Sequence, residues 1–430
     1  MIRFNTTNPP GNELPLARYL ADVLRAAEIE TQLLEPAPMR GAVVARLRGD
    51  GRDAPVLLMA HMDVVGVEAE HWSVNPFAGE IRDGFLYGRG AIDDKGMLAS
   101  NLMTMLLLAR EVAARRIHLR RDVIFAATSD EEVADEWGMG WLIENHPESI
   151  RAEFALNEGG RTRVLDGRPL YLAVQTAEKV AHVVRLTAHG PGGHASVPLD
   201  GNAVARLARA IATIHDNPLP VKLLPTTREF FRELSPVWPV PAERAAMADL
   251  GSGDAGRIER GELVLRDIPM LDALLRTTVS PTMLQGGVAP NVIPTEASAT
   301  LNIRTLPGDP IDDVVAALAR IVGDPLVDFT IVERGEESPL CESSSPMFRA
   351  IADATRALNP DLAVVPFLGT GATDSARMRR WGVQAYGVLP FPMEQSDEER
   401  MHANDERIPL DSLHFGTQLI YGAILRVAAA

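Results

Sequence analysis

The chain has one cysteine, Cys341, in 430 residues. That excludes an intrachain disulfide framework and any cysteine-built metal cluster, so metal ligands must be histidines and carboxylates. Positive charge is also short: 42 lysines and arginines face 58 aspartates and glutamates, a formal charge of -16. Nucleic acid and anionic membrane surfaces recruit basic residues, so neither is expected as a partner. No apolar run approaches the ~20 residues needed to cross a bilayer. The opening MIRFNTTNPPGNE lacks the basic stretch and apolar core of a secretory signal, which makes the cytoplasm the expected compartment. Aromatic residues are only 5% of the chain, but 46% hydrophobic and 23% charged residues are ordinary for a globular protein. Because cores usually stop growing beyond ~250 to 300 residues, two domains are expected.

The first half alternates helix and strand patterns. Leu14 to Ala27 has apolar residues at helical spacing, and Ala42 to Leu47 reads as a strand. Val56 to Ala60 is a short unbroken apolar run, the pattern of a strand buried on both faces. A buried helix from Met97 to Glu111 and a strand from Val123 to Ala127 follow, so a sheet with parallel parts is expected. From about Lys179 the texture changes. A strand over Val180 to Ala188, a helix over Asn202 to His215, a strand over Glu296 to Arg304, a helix over Ile311 to Val322 and a strand over Val327 to Val332 make a small α+β sandwich. The prolines from Pro218 to Pro241 predict an irregular, partly exposed excursion, with Phe230, Phe231 and Trp238 available to line an apolar pocket. The end of the chain returns to α/β texture. The expected fold is α/β, a mixed sheet flanked by helices, with the sandwich inserted. The catalytic domain then takes residues 1–178 and 336–430, and the insert takes 179–335.

Ligand-grade side chains collect where buried strands end. The first strand runs into His61-Met62-Asp63, the next into Ser129-Asp130-Glu131-Glu132, and Glu153 to Leu156 delivers Asn157-Glu158-Gly159-Gly160. Open α/β sheets place their chemistry at this end of their strands. Asp93-Asp94 sits among glycines before a helix, and adjacent carboxylates repel unless a cation or hydrogen bonds hold them. Taken singly, each has a plainer reading as a core histidine, a capping carboxylate or a solvated loop. Their recurrence at successive strand ends favours a site. His61, Asp93, Glu132, Glu158 and His402 can hold two zinc ions with one carboxylate bridging. Because Glu131 and Glu132 are neighbours, one can ligate while the other takes a proton from water, which is the chemistry of metal-assisted amide hydrolysis. Alternation along the strand puts Asp63 on the side of His61, where its carboxylate can hold one imidazole nitrogen.

The ordered motifs HMD, GRGAIDDKG, SDEE, LNEGG, GGHAS, NVIP and MHANDE resemble the zinc-dependent aminoacylase, carboxypeptidase and desuccinylase family of exopeptidases, over residues 5 to about 420. The resemblance implies that Asp93 bridges two Zn2+ ions, with Co2+ or Mn2+ as substitutes, and that the peptide to Asp94 is cis. One ion would be held by His61 and Glu158, the other by Glu132 and His402. Glu131 would be the general base and Asp63 the partner of His61. The inserted domain would form a homodimer and close over the substrate, and His194 would stabilise the oxyanion, usually from the partner subunit. Asn291 and Arg304 would hold the substrate's carbonyl and carboxylate. Many relatives carry Thr-Asp-x-Arg near the end, whereas here Thr373-Asp374-Ser375 is followed by Ala376 and then Arg377. That one-residue shift would turn the arginine elsewhere. The expected activity is cleavage of N-acyl-amino acids or of small peptides from their C-terminal end. The alternatives are a dipeptidase or aminopeptidase that grips a free amine, and a non-catalytic relative that only binds.

Overall fold

The computed structural model describes residues 1–133 and 136–429. Its main layer is a ten-stranded mixed sheet. At its centre Val56–His61 lies parallel to Val123–Thr128 on one side and to Phe154–Asn157 on the other. All three are buried throughout. Their alternation divides the side chains between two cores. Val56, Leu58, Ala60, Phe125 and Leu156 face the helices Leu14–Ala26, Lys95–Ala113, Pro346–Leu358 and Leu410–Ala428, while Leu57, Met59, Ile124 and Ala155 face Met139–Asn145 and Asp374–Arg380. Because both faces are covered, each strand is an apolar run without polar interruption, and polar residues begin where it leaves the sheet.

The second layer is a four-stranded antiparallel sheet in the order Thr278–Gly286, Glu296–Thr305, Val180–His189, Val327–Glu333. Helices Ala203–Asp216 and Ile311–Val322 pack on one face through Leu207, Ile214, Val314 and Leu318, against Val184, Leu186, Leu301 and Ile303. The opposite face carries no helix of this cluster.

One sequence expectation is corrected, and two strand features stand where the sequence analysis assigned no element. The proline-rich stretch is helical: Pro225–Leu234, Pro241–Gly251 and Pro269–Asp272 each begin on a proline. At the first helical position the missing N–H has no partner to lose and the fixed φ already suits a helix, so these prolines start helices. Phe230 and Phe231 are accordingly core residues, packed with Tyr171, Val365 and Phe367 of the large sheet. Second, Arg161–Leu165 and Arg168–Glu178 form a hairpin closed by Asp166-Gly167, both at positive φ. The Asp-Gly dipeptide was its signal. Third, Thr278–Gly286 is a strand despite Pro281; it is an edge strand, where the register shifts between Pro281 and Met283, the setting that tolerates proline.

Candidate dinuclear metal centre

His61 closes its strand, and the turn after it returns Asp63 beneath the neighbouring strand end. The imidazole Nδ1 lies 3.0 Å from the Asp63 carbonyl oxygen, and the Asp63 carboxylate is farther, at 3.5 Å. That carboxylate is occupied elsewhere. Its oxygens accept the peptide N–H groups of Glu131 (3.3 Å) and Glu132 (3.2 Å) and the Asn8 side-chain amide (2.9 Å). Asp63 therefore shapes the Glu131-Glu132 turn at least as much as it orients the ring. Asp130 secures the turn from behind, accepting from Asn8 (2.9 Å) and from Arg40 Nη2 (2.9 Å). Arg40 is also paired with Glu13 at 3.2 Å, so the N-terminal segment and the second strand brace these two glutamates.

Asp93 stands between the two histidines. Its Oδ1 is 2.8 Å from His61 Nε2 and its Oδ2 is 3.0 Å from His402 Nε2. Glu158 completes one group at 3.7 Å from His61, and Glu132 completes the other at 3.3 Å from His402. His61, Asp93 and Glu158, and likewise Asp93, Glu132 and His402, each bring ligand atoms within 4.8 Å of one another. The Asp93-Asp94 peptide is cis. The turn carrying Asp93 is held by Glu406, a fully buried carboxylate that accepts from Arg89 Nη1 (2.7 Å) and from the peptide N–H groups of Gly90 (3.0 Å), Ile92 (2.7 Å) and Asp93 (3.2 Å). Arg89 in turn donates to the His402 carbonyl at 3.3 Å, so one buried ion pair joins the turns bearing Asp93 and His402. Asp130, Asn8, Arg40, Glu406 and Arg89 are where the sequence said least. A charged residue opening an apolar strand, as Arg40 does, was the one available signal.

The electrostatics show a surplus of donor atoms. Burial, with Asp93 and Glu131 nearby, pushes the Glu158 carboxyl well above the usual range, and burial does the same to Glu131 and Asp94. Asp93 moves the other way: burial opposes its charge, but hydrogen bonds from His402 and His61 outweigh that and hold it low. Hydrogen bonds to Asp93 and Glu132 raise His402 to about 10. Glu132 Oε1 and both Asp94 oxygens are buried without a hydrogen-bond partner. Buried carboxylate oxygens are normally satisfied, and this many around two imidazoles suits hard or borderline divalent cations.

The cluster opens into a cleft of about 810 Å³ lined by Asp93, Glu131, Glu132, Glu158 and His402 together with Lys179, Ala181 and Arg304. Ala376 and Arg377 also line it, and the Arg377 guanidinium lies against Gly140. His194 and Asn291 are not among the lining residues. They sit at a small exposed ribbon, Gly193–His194 against Val292–Ile293, with Asn291 just before it; His194 Nδ1 accepts the Ser196 peptide N–H at 3.2 Å and lies 2.7 Å from its Oγ. Among the described residues no helix is long and apolar enough to cross a membrane.

The sequence model for peptidase family M20/M25/M40 matches residues 57–426. A probable carboxypeptidase S-like 2 of Dictyostelium discoideum is 30% identical over 372 residues, covering 83% of this chain and 68% of that protein. The N-fatty-acyl-amino acid synthase/hydrolase PM20D1 of Xenopus tropicalis is 29% identical over 376 residues, covering 85% and 70%. An M20 family metallo-carboxypeptidase from Sulfolobus solfataricus, Sso-CP2, superposes with a TM-score of 0.70 over 99% of this chain and 97% of its own, at 18% identity, a likeness of fold.

Proposed function

Because this chain belongs to peptidase family M20/M25/M40 and is a metallohydrolase, we propose that it cleaves the amide bond of N-acyl-amino acids, or the C-terminal peptide bond of small peptides, at two zinc ions. The observation that carries this reading is the pair of histidine–carboxylate groups sharing Asp93, with Glu131 lining the same cleft. His61 and Glu158 would hold one ion, Glu132 and His402 the other, and Asp93 both. When bound, the ions polarise the scissile carbonyl and lower the pKa of water.

The chain's own residues do the rest. Glu131 accepts the proton of the attacking water and returns it to the leaving nitrogen, a role suited to a carboxyl whose pKa burial raises. The Asp63 carboxylate fixes the backbone of Glu131 and Glu132, so base and ligand keep their separation. Arg304, which lines the same cleft, presents a planar fork suited to the substrate carboxylate. Arg377 also lines the cleft. His194 and Asn291 would act on the cleft of a partner subunit. Supporting a homodimer, the edge strand Thr278–Gly286 exposes Met283 (57%) and Leu284 (67%) beside unpaired backbone groups.

Replacing Glu131 with Gln tests the assignment. Metal content should be unchanged while turnover of an N-acyl-amino acid falls by about 10² to 10⁴. Unchanged turnover would remove Glu131 as the base, and activity confined to free-amine dipeptides would favour the dipeptidase reading.

A further inference from the structure

We infer that Lys179 is the second cation, beside Arg304, of a carboxylate subsite at the foot of the four-stranded sheet, and that it sets the preference for substrates with a free carboxylate. This deepens the amide-hydrolase reading and rests on it. The argument begins with register. Arg304 lies opposite Ala181 on one side and opposite Thr278 on the other, and Lys179 is two residues before Ala181. Side chains alternate along strands and pair across them, so Ala181, Arg304 and Thr278 share one face of the sheet; Lys179 precedes the strand Val180–His189, and its Nζ reaches that face at Thr278 Oγ1. It is the face away from the helices, since the intervening Val184, Leu186, Leu301 and Ile303 pack against them. Lys179, Ala181 and Arg304 line the same cleft as the metal ligands.

Lys179 is held in place at both ends. Its peptide N–H donates to the Gly369 carbonyl at 2.9 Å, and its Nζ donates to Thr278 Oγ1 at 3.1 Å. Only 2% of the residue is exposed. An ammonium in that position is costly without a counter-charge, and a second cation on the same face adds repulsion. Among the described residues, neither Lys179 nor Arg304 forms an ion pair; Arg304 Nε donates to the Asn302 side-chain oxygen at 3.0 Å. The carboxylates nearest in effect are already taken, Asp272 by Arg276 at 2.8 Å and Asp309 by Lys222. Other cations of the cleft are neutralised, Arg161 by Glu398 (3.1 Å) and Arg380 by Glu336 (3.2 Å). Burial pushes Lys179 down to about 7, with Asp272 resisting and Arg304 adding to the shift, and burial also lowers Arg304. Two desolvated cations on one wall, neither of them in an ion pair among the described residues, fit a substrate that brings an anion.

The test uses the zinc-loaded full chain, an N-acyl-amino acid and the same compound with its carboxylate amidated. Equilibrium binding is measured by calorimetry alongside turnover, in wild type and Lys179→Met. The variant should bind the free acid about tenfold more weakly, raise its KM more than it lowers kcat, and reduce the ratio of kcat/KM for acid over amide by a similar factor. Should the methionine variant not fold, Lys179→Gln carries the same readouts. Unchanged affinity for the free acid, or an acid-to-amide ratio equal to that of wild type, would overturn the assignment. If wild type binds the acid but cleaves neither compound, the hydrolase reading fails, while the binding comparison still decides the role of Lys179.

Discussion

Glu406 is the residue on which the geometry of the centre depends most, although it reaches no ligand atom itself. Replacing it with alanine would remove one acceptor from four donors at once: Arg89 at 2.7 Å and the N–H groups of Ile92, Gly90 and Asp93 at 2.7, 3.0 and 3.2 Å. Arg89 is 2% exposed and would be left as a buried cation without its partner. Breaking one side of such a pair costs about 3 to 5 kcal/mol, and each orphaned amide adds about 1 to 3 kcal/mol where water cannot replace the carboxylate. Water entering the vacated space offsets part of this, so the expected loss is about 4 to 6 kcal/mol, a large share of a typical domain's stability. Glu406→Gln separates charge from volume. One oxygen still accepts from Ile92 and Asp93, but the new NH2 faces Arg89 and Gly90, donor against donor, so the expected loss is about 3 kcal/mol. The assay is urea unfolding of the chelated proteins, followed by zinc titration of the folded variants. Zinc affinity should fall about 10- to 100-fold, as when an outer partner of a metal ligand is removed. A stability change under about 1 kcal/mol together with unaltered zinc affinity would refute the reasoning.

Two further outcomes follow from the same structure. Gly160 has φ +67, and a Cβ there would lie 2.1 Å from the Ala173 carbonyl oxygen within the sheet, so Gly160→Ala should cost about 3 kcal/mol or more and displace nearby Glu158; a melting temperature equal to wild type would contradict this. Lys179 has a native pKa of about 7 against 10.5 when unperturbed, so between those values the unfolded chain holds a proton that the native state has lost, and stability rises with pH across that window. Lys179→Met removes this dependence. Its stability advantage over wild type should be greatest below about pH 7 and shrink toward about pH 10, and a gap constant or widening with pH would refute it.

What could be read from the sequence was what local pattern encodes. The apolar runs Val56–Ala60 and Val123–Ala127 betray strands buried on both faces, and the structure shows them as adjacent parallel strands. The acidic and histidine residues that follow them are informative because polar side chains at the exit of such strands have only one end of the sheet to occupy. The prolines of 218–241 were misread because proline's exclusion from helix interiors says nothing against helix starts. The hairpin over 161–178 lay in plain view at Asp166-Gly167.

The sequence by itself determined the family, the mixed α/β class and the kinds of atoms available to a metal, because motifs, periodicity and side-chain chemistry are properties of the chain. Only the tertiary structure decided which groups meet. It brought residues 61, 93, 132, 158 and 402 into two groups around Asp93, gave Asp63 to the glutamate turn, and placed Glu406 behind Asp93 across more than 300 residues of chain. It also put Lys179 and Arg304 on one wall and His194 and Asn291 outside the cleft. The physical reason is that such partnerships depend on strand register, sheet face and the closure of distant turns. Those are set by packing among many residues at once, and no local window of sequence contains them.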